Sequence, residues 1–239
     1  MIFSYNELSY FYKRINELGD TVLFNDFEGQ KCFLIRHDID WDLSAAHEMA
    51  KIENKFGIKA TYFILINSDN YNVLSESNRK LILNIKNLNH EIGLHFDASL
   101  YVDDFNFHAQ KDAKILGSII GEKINSVALH NPSVNNLYPE MNSFNDAYSE
   151  VFFNPDFYLS DARYDFRGKI PLEFIKKIKE NFLQINLHPI HYSEQGHENY
   201  VITFNKMLEQ RLVDFDQNQM KNSTYKKNRT NNEYLINLK

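Results

Sequence analysis

The chain has 239 residues, enough for one large domain, and its 43% hydrophobic and 14% aromatic content excludes an intrinsically disordered polymer. Its 26 basic and 32 acidic residues give a net charge of −6 with no basic stripe, which excludes a partner held by phosphate neutralisation such as nucleic acid. The lone cysteine, Cys32, excludes an internal disulfide and a thiolate zinc cluster, and no run approaches the ~20 apolar residues of a membrane span.

The N-terminus, Met1 to Asn6, lacks a basic segment followed by an apolar core, so a cytoplasmic location is expected. Leu8, Phe11, Tyr12 and Ile15 fall at helical spacing, with Gly19 as the stop. A strand is expected over 32–37, from the apolar run Cys32-Phe33-Leu34-Ile35. Ser44 can cap the next helix, whose apolar positions Met49, Ile52 and Phe56 precede Gly57. Residues 60–66 are β-branched and aromatic, as in a strand buried on both faces. Then come a helix from Ser75 to Leu88, a strand at 91–96, and a helix carrying Phe105, Ala109, Ala113, Leu116 and Ile120 and closed by Gly121. Further strands are expected at 125–130, 157–160 and 183–188, with Pro171 opening a helix that buries Phe174, Ile175, Ile178 and Phe182.

Repeated strand-helix units of this length imply an α/β fold with a mostly parallel sheet. The spacing leaves open whether that sheet closes into a barrel. One domain is expected over 1–216, followed by a polar, loosely packed tail over 217–239. With 8 glycines and no G-x-G-x-x-G or G-x-x-x-x-G-K-[ST], nucleotide-cradling loops are not expected.

The chemistry gathers where strands end. In Arg36-His37-Asp38-Ile39-Asp40 the two aspartates, two apart in an extended chain, share a face. In Glu91-Ile92-Gly93-Leu94-His95-Phe96-Asp97, His95 and Asp97 share one, and Asp97 can orient the His95 ring. His90, five residues before His95, turns to the opposite face at the far rim. His130 ends the fourth strand before Asn131-Pro132, Asp161 follows the fifth, and His188 ends the sixth, where Gln184, Asn186 and His188 share a wet face. The plainer uses are a helix cap for Asp40 or Asp42, an Arg36 partner for Asp38, and a satisfied polar group for His130. Five strand ends bearing ionisable groups, at the edge where parallel α/β folds bind ligands, point instead to a metal-dependent hydrolase. Trp41 and Arg163 are the candidate substrate contacts, with packing and surface charge as their plainer uses. His47, His108, His191 and His197 are read as background.

On these residues the chain resembles polysaccharide deacetylases of the carbohydrate esterase 4 type over roughly residues 32–190. Asp38-Ile39-Asp40 is similar to that family's first motif, implying a base, Asp38, and a metal ligand, Asp40. Ala60-Thr61-Tyr62-Phe63 resembles its next strand. His90-Glu91-Ile92-Gly93 resembles the lead-in to its paired-histidine motif, which makes His95 a ligand. Ser99 stands where the family has the second histidine, so the resemblance implies either a site with two of its usual protein ligands or a substitute, His130 first and Asp97 second. Leu187-His188-Pro189 and Ser160-Asp161 resemble the last motifs, implying a general acid, His188, tuned by Asp161. The resemblance implies an incomplete barrel of about seven strands and one divalent metal. From its nitrogen and oxygen donors that metal is expected to be Zn²⁺. The activity implied is removal of acetyl groups from a sugar or polysaccharide precursor. A carbohydrate-binding relative that lost turnover and a hydrolase of non-sugar amides are the alternatives.

Overall fold

The computed structural model describes residues 3–196 and 199–229. Its first helix, α1 (Tyr5–Leu18), buries Leu8, Phe11, Tyr12 and Ile15, and the Gly19 N–H closes it on the Ile15 carbonyl. There follow β1 (Phe33–Ile39), α2 (Leu43–Lys55), β2 (Ala60–Leu65), α3 (Glu76–Asn87), β3 (Glu91–Phe96), α4 (Phe105–Ile120) and β4 (Ser126–Leu129). These spans agree with the periodicity to within two residues. The cap of α2 does not: Asp42, with extended backbone, accepts from the Ser44 N–H, and Ser44 is already inside the first turn.

Beyond β4 the elements shorten to α5 (Pro132–Asn135), β5 (Asn145–Asp146), β6 (Tyr158–Ser160), α6 (Pro171–Phe174) and β7 (Leu183–Asn186). α5 and β5 are too short for any periodicity to register. The helix expected from Pro171 to Phe182 is α-helical only to Phe174 and continues as a 3₁₀ turn over Ile175–Lys179. In that tighter winding residues three apart eclipse, and Ile175 and Ile178 are both buried.

The seven strands form one sheet in the order β5-β4-β3-β2-β1-β7-β6, with every neighbouring pair parallel. This is chain order taken round a circle and cut between β5 and β6, which is an incomplete barrel of β/α units.

β1 is buried along its whole length, and its faces differ. Phe33, Ile35 and Ile39 join the helices in the main core, whereas Leu34 packs with Phe24, Phe63, Ala128, Ala147 and Phe152 in a second apolar cluster. The second cluster is the barrel interior. By the two-residue alternation Arg36 and Asp38 share the Leu34 side. Gly93 makes room there: a Cβ would stand 2.5 Å from two Phe63 ring carbons. At the start of β3, Glu91 accepts from Thr61 (2.8 Å), Ser126 (2.5 Å) and the Asn25 N–H (3.2 Å).

On the outer side Glu53 of α2 binds the Tyr12 and Tyr62 hydroxyls at 2.7 and 2.6 Å and the His37 ring at 2.8 Å. The other His37 nitrogen meets the Leu187 carbonyl at 2.8 Å, tying β1 to the chain just before His188. His90, expected at the far rim, is 4% exposed and packs beside this cluster, its Nε2 donating to the Ala50 carbonyl. A strand start covered by a helix is interior, whichever end of the barrel it occupies.

All of this lies in one compact unit, Met1–Gly196; His197–Lys239 forms a second. There α7 (Tyr200–Gln219) starts at the Asn199 cap, and α8 (Ser223–Asn228) starts at Asn222. Asp216 joins the two helices by accepting from the Tyr225 hydroxyl and pairing with Arg229, both at 2.6 Å. Of the expected tail, residues 217–229 are helical over most of their length, while 230–239, like His197, falls outside the described residues. No helix among the described residues is long and apolar enough to cross a membrane.

Candidate active site

Asp40, one residue past β1, His95 near the end of β3, and His130, one residue past β4, bring their ligand atoms within 4.8 Å of one another. Asp40 Oδ1 lies 3.2 Å from His95 Nε2 and 2.9 Å from His130 Nδ1, and the two ring nitrogens are 3.2 Å apart. Neither histidine reaches Asp40 Oδ1 in hydrogen-bonding geometry, so this buried oxygen is without a hydrogen-bond partner. Tetrahedral ligands about 2.1 Å from a zinc ion stand roughly 3.4 Å apart. The three atoms fit such a cation in element and spacing. Asn131 Nδ2 donates to His130 Nε2 at 2.8 Å, which keeps the proton of a neutral ring on Nδ1, so ligation by Nδ1 requires that amide to turn its oxygen to the ring. His95 Nδ1 faces the Ala128 carbonyl at 3.0 Å, and since a carbonyl only accepts, that nitrogen carries the proton. In the neutral ring the lone pair is then on Nε2, which is turned toward Asp40.

Asp97 does not take part. Its carboxylate accepts from the Ser99 N–H at 3.0 Å and the Ser99 hydroxyl at 2.6 Å, capping the turn Ala98–Leu100. The role expected for it, orienting His95, belongs to the Ala128 carbonyl, which the parallel register places opposite His95. Ser99 is exposed.

Asp38 is held on one side only. Its Oδ2 accepts from Asn186 Nδ2 at 2.8 Å and Arg36 Nη2 at 3.2 Å, while Oδ1 has no hydrogen-bond partner. Burial pushes this carboxyl up, but the Arg36 guanidinium, with His95 and His188, brings it below the usual carboxylate range. Arg36 is fully buried, stacks 4.7 Å from the Tyr148 ring centroid, and donates to the Tyr148 and Tyr158 hydroxyls at 2.9 and 3.5 Å. These tyrosines come from the two sides of the barrel's open seam. Asp40 is likewise pushed up by burial and pulled below the ordinary range by His130 and His95.

Past β6 and β7, Asp161 Oδ1 accepts from His188 Nδ1 at 2.6 Å, and both carboxylate oxygens accept from the His188 backbone N–H at 3.0 and 3.2 Å. Burial pushes His188 down, yet Asp161, Asp38 and Asp40 outweigh it and raise the imidazole to about 9. Asp161 is raised by burial and lowered further by His191 and His188, ending below the usual range.

Trp41, directly after Asp40, is half-buried, and Arg163 is exposed in the loop after β6. Sequence reading passed over two residues. Asn186 was on the noted polar face but had no role until the register set it opposite Arg36. His191 lies 3.3 Å from Asp161 Oδ2. The signal for it was Pro189: a proline-led 3₁₀ turn, here Pro189–His191, aligns side chains three apart.

No family model matches the sequence, and no curated protein matches it. Solved structures do. The chain is similar to family 4 carbohydrate esterases. A CE4 family pseudoenzyme from Bacillus anthracis is 15% identical with a TM-score of 0.46, over 76% of this chain and 62% of that one. The chitin deacetylase of Colletotrichum lindemuthianum is 12% identical with a TM-score of 0.46, over 77% and 83%. The peptidoglycan deacetylase of Bacillus subtilis is 13% identical with a TM-score of 0.44, over 82% and 99%. The chain thus spans 62% of the length of the first of these relatives.

Proposed function

We propose that this chain is a metal-dependent hydrolase that removes an acetyl group from an N- or O-acetylated sugar. One observation carries the reading: a two-histidine, one-aspartate donor set shares its strand-end edge with a half-free carboxylate and a carboxylate-bound imidazole. Asp40, His95 and His130 would hold one divalent cation, with Zn²⁺ favoured by the donors. When bound, such a cation polarises a carbonyl and lowers the pKa of water toward ~7.

The chain's own groups do the remaining work. Asp38 Oδ1, free of hydrogen bonds, takes a proton from water as the water oxygen bonds to the acetyl carbon. Arg36 and Asn186 grip Oδ2, so the carboxylate stays turned toward the reacting centre. His188 donates from Nε2 to the departing nitrogen as the C–N bond breaks, while Asp161 holds Nδ1. Acetate and the free amine result. Asp38 then returns its proton to solvent and His188 is reprotonated. Trp41 offers a flat apolar face for a sugar ring and Arg163 a donor from the β6 loop.

The test is acetate release from a panel of acetamido- and acetoxy-sugars by protein whose metal content has been measured. Acetate formation that is lost with chelation and restored by one equivalent of metal supports the reading. Stoichiometric metal and bound glycan with no acetate would replace it with a binding protein.

A further inference from the structure

The peptide unit that joins Leu187 to His188 is held at both of its polar ends. The ladder between β1 and β7 runs as far as Arg36 opposite Asn186, and the Leu187 N–H still donates to the Arg36 carbonyl at 3.0 Å. The Leu187 carbonyl itself is taken by a side chain, His37 Nδ1 at 2.8 Å. Across the same peptide bond the His188 N–H donates to both oxygens of Asp161, at 3.0 and 3.2 Å. The C=O and N–H of a trans peptide point in opposite directions, so two partners on opposite sides fix its plane.

We propose that His37 is a positioning residue for the His188–Asp161 pair, acting from the outer side of β1 through the Leu187 carbonyl. This rests on the deacetylase reading for its catalytic meaning, though not for its structural test. A carbonyl only accepts, so His37 Nδ1 carries a proton, and Glu53 holds the opposite ring nitrogen at 2.8 Å. Glu53 is fixed in turn by the Tyr12 and Tyr62 hydroxyls, so the ring is anchored to α1, α2 and β2 at once. Tyr12, His37, Glu53 and Tyr62 are all fully buried, where no water competes for these bonds.

The clamp fixes the orientation of the peptide that leads into His188. On the other side of that residue Pro189 already confines the backbone, and His188 is extended at φ −94° and ψ 112°. Asp161 receives both the His188 N–H and, at 2.6 Å, its Nδ1. Those two bonds form together only while the preceding peptide turns its N–H to the carboxylate. Releasing the Leu187 carbonyl frees that peptide to swing, and the imidazole with it. The plainer use of a buried histidine–glutamate pair is to brace α2 against the sheet. A brace alone predicts a uniform loss of stability, whereas positioning predicts loosening confined to His188.

The experiment combines histidine-selective ¹⁵N NMR with amide hydrogen exchange on the whole chain, neither of which needs a substrate. Wild-type His37 is expected to carry a proton on Nδ1, and a ring without one would overturn the proposal before any variant is made. His37→Phe keeps a ring and loses both hydrogen bonds. In that variant the His188 amide should exchange roughly tenfold faster or more, measured relative to the amide of Leu116 inside α4. His37→Asn, whose amide offers a donor close to the place of Nδ1, should return part of the protection. His188 exchange that merely tracks Leu116 in a folded His37→Phe protein would overturn the proposal and leave the pair a brace. On an acetylated sugar that the wild type hydrolyses, His37→Phe should lower kcat by roughly tenfold with little change in KM, and His37→Asn should recover part of it. An unchanged kcat would overturn the positioning role. The expected exchange pattern without acetate release by the wild type would overturn only the deacetylase reading.

Discussion

The Ala128 carbonyl accepts the Nδ1 proton of His95 at 3.0 Å, and the opposite ring nitrogen lies 3.2 Å from Asp40 Oδ1. One backbone atom of β4 thus decides which nitrogen of a β3 side chain has a lone pair for a cation. A backbone acceptor is insensitive to side-chain substitution at its own position, so this orientation is robust to point mutation.

Asp40→Ala should abolish metal content and acetate release together, since it removes the only anionic ligand of the three. Elemental analysis of the purified variant checks this. Stoichiometric metal in Asp40→Ala would sink the assignment of that residue.

Asp97→Ala should leave metal stoichiometry at its wild-type value and cost about 1 kcal/mol of stability, the usual penalty for losing an N-terminal cap. Equilibrium unfolding and metal analysis on one preparation separate a cap from a ligand.

Metal binding to the native state should appear as thermal stabilisation. At a hundredfold excess over Kd the gain is about 2.7 kcal/mol, and for a chain of this size each kcal/mol shifts Tm by roughly 2–4 °C. A zinc titration followed by calorimetry should show a rise of several degrees in the wild type and none in Asp40→Ala.

The His188–Asp161 pair makes both activity and stability depend on pH, with opposite signs for its members. His188 is raised to about 9 in the fold, so its contribution is complete below its unfolded value of ~6.5 and is lost as pH rises through about 9. Asp161 is depressed, so its contribution is present above the unfolded carboxylate value and is lost in acid, as pH falls through its lowered folded value. Activity should therefore fall on an alkaline limb near 9, and His188→Gln should lower kcat by about 10²–10⁴-fold. Asp161→Asn should move that limb to lower pH, read from kcat against pH.

Gly93→Ala should destabilise the protein by about 1–3 kcal/mol through overpacking, because its methyl group meets the Phe63 ring inside the barrel. Phe63→Leu in the same chain should recover part of that loss, a coupling measurable by a double-mutant cycle.

Much of this architecture was legible in the residues. The run at 60–65 is apolar enough to be a strand covered on both faces, the strand at 91–96 was legible between its helices, and the three-and-four spacing in α1, α3 and α4 survives folding unchanged. The candidate donors Asp40, His95 and His130 were named from their strand ends, and the chain does bring them together. Contacts decided by register were not legible. That His95 should bind the Ala128 carbonyl, and not Asp97, depends on which β4 residue stands opposite it, and no pattern within β3 encodes that. The two-residue β5 and the 3₁₀ turn that carries His191 are too short to have a period. The incomplete TIM-like barrel of seven strands was expected from the family resemblance and from no spacing in the chain, because strand order is a property of pairs.

Strict alternation along β1 has a consequence for how such a protein can change. Inserting or deleting one residue just ahead of Arg36 would rotate the strand by half a period, sending Asp38 out among the helices and bringing His37 inward. Interior chemistry and exterior packing would fail in the same step. Changes in length are tolerated best in the segments past the strand tips, where the surroundings of the site can be altered while the reacting groups stay in phase.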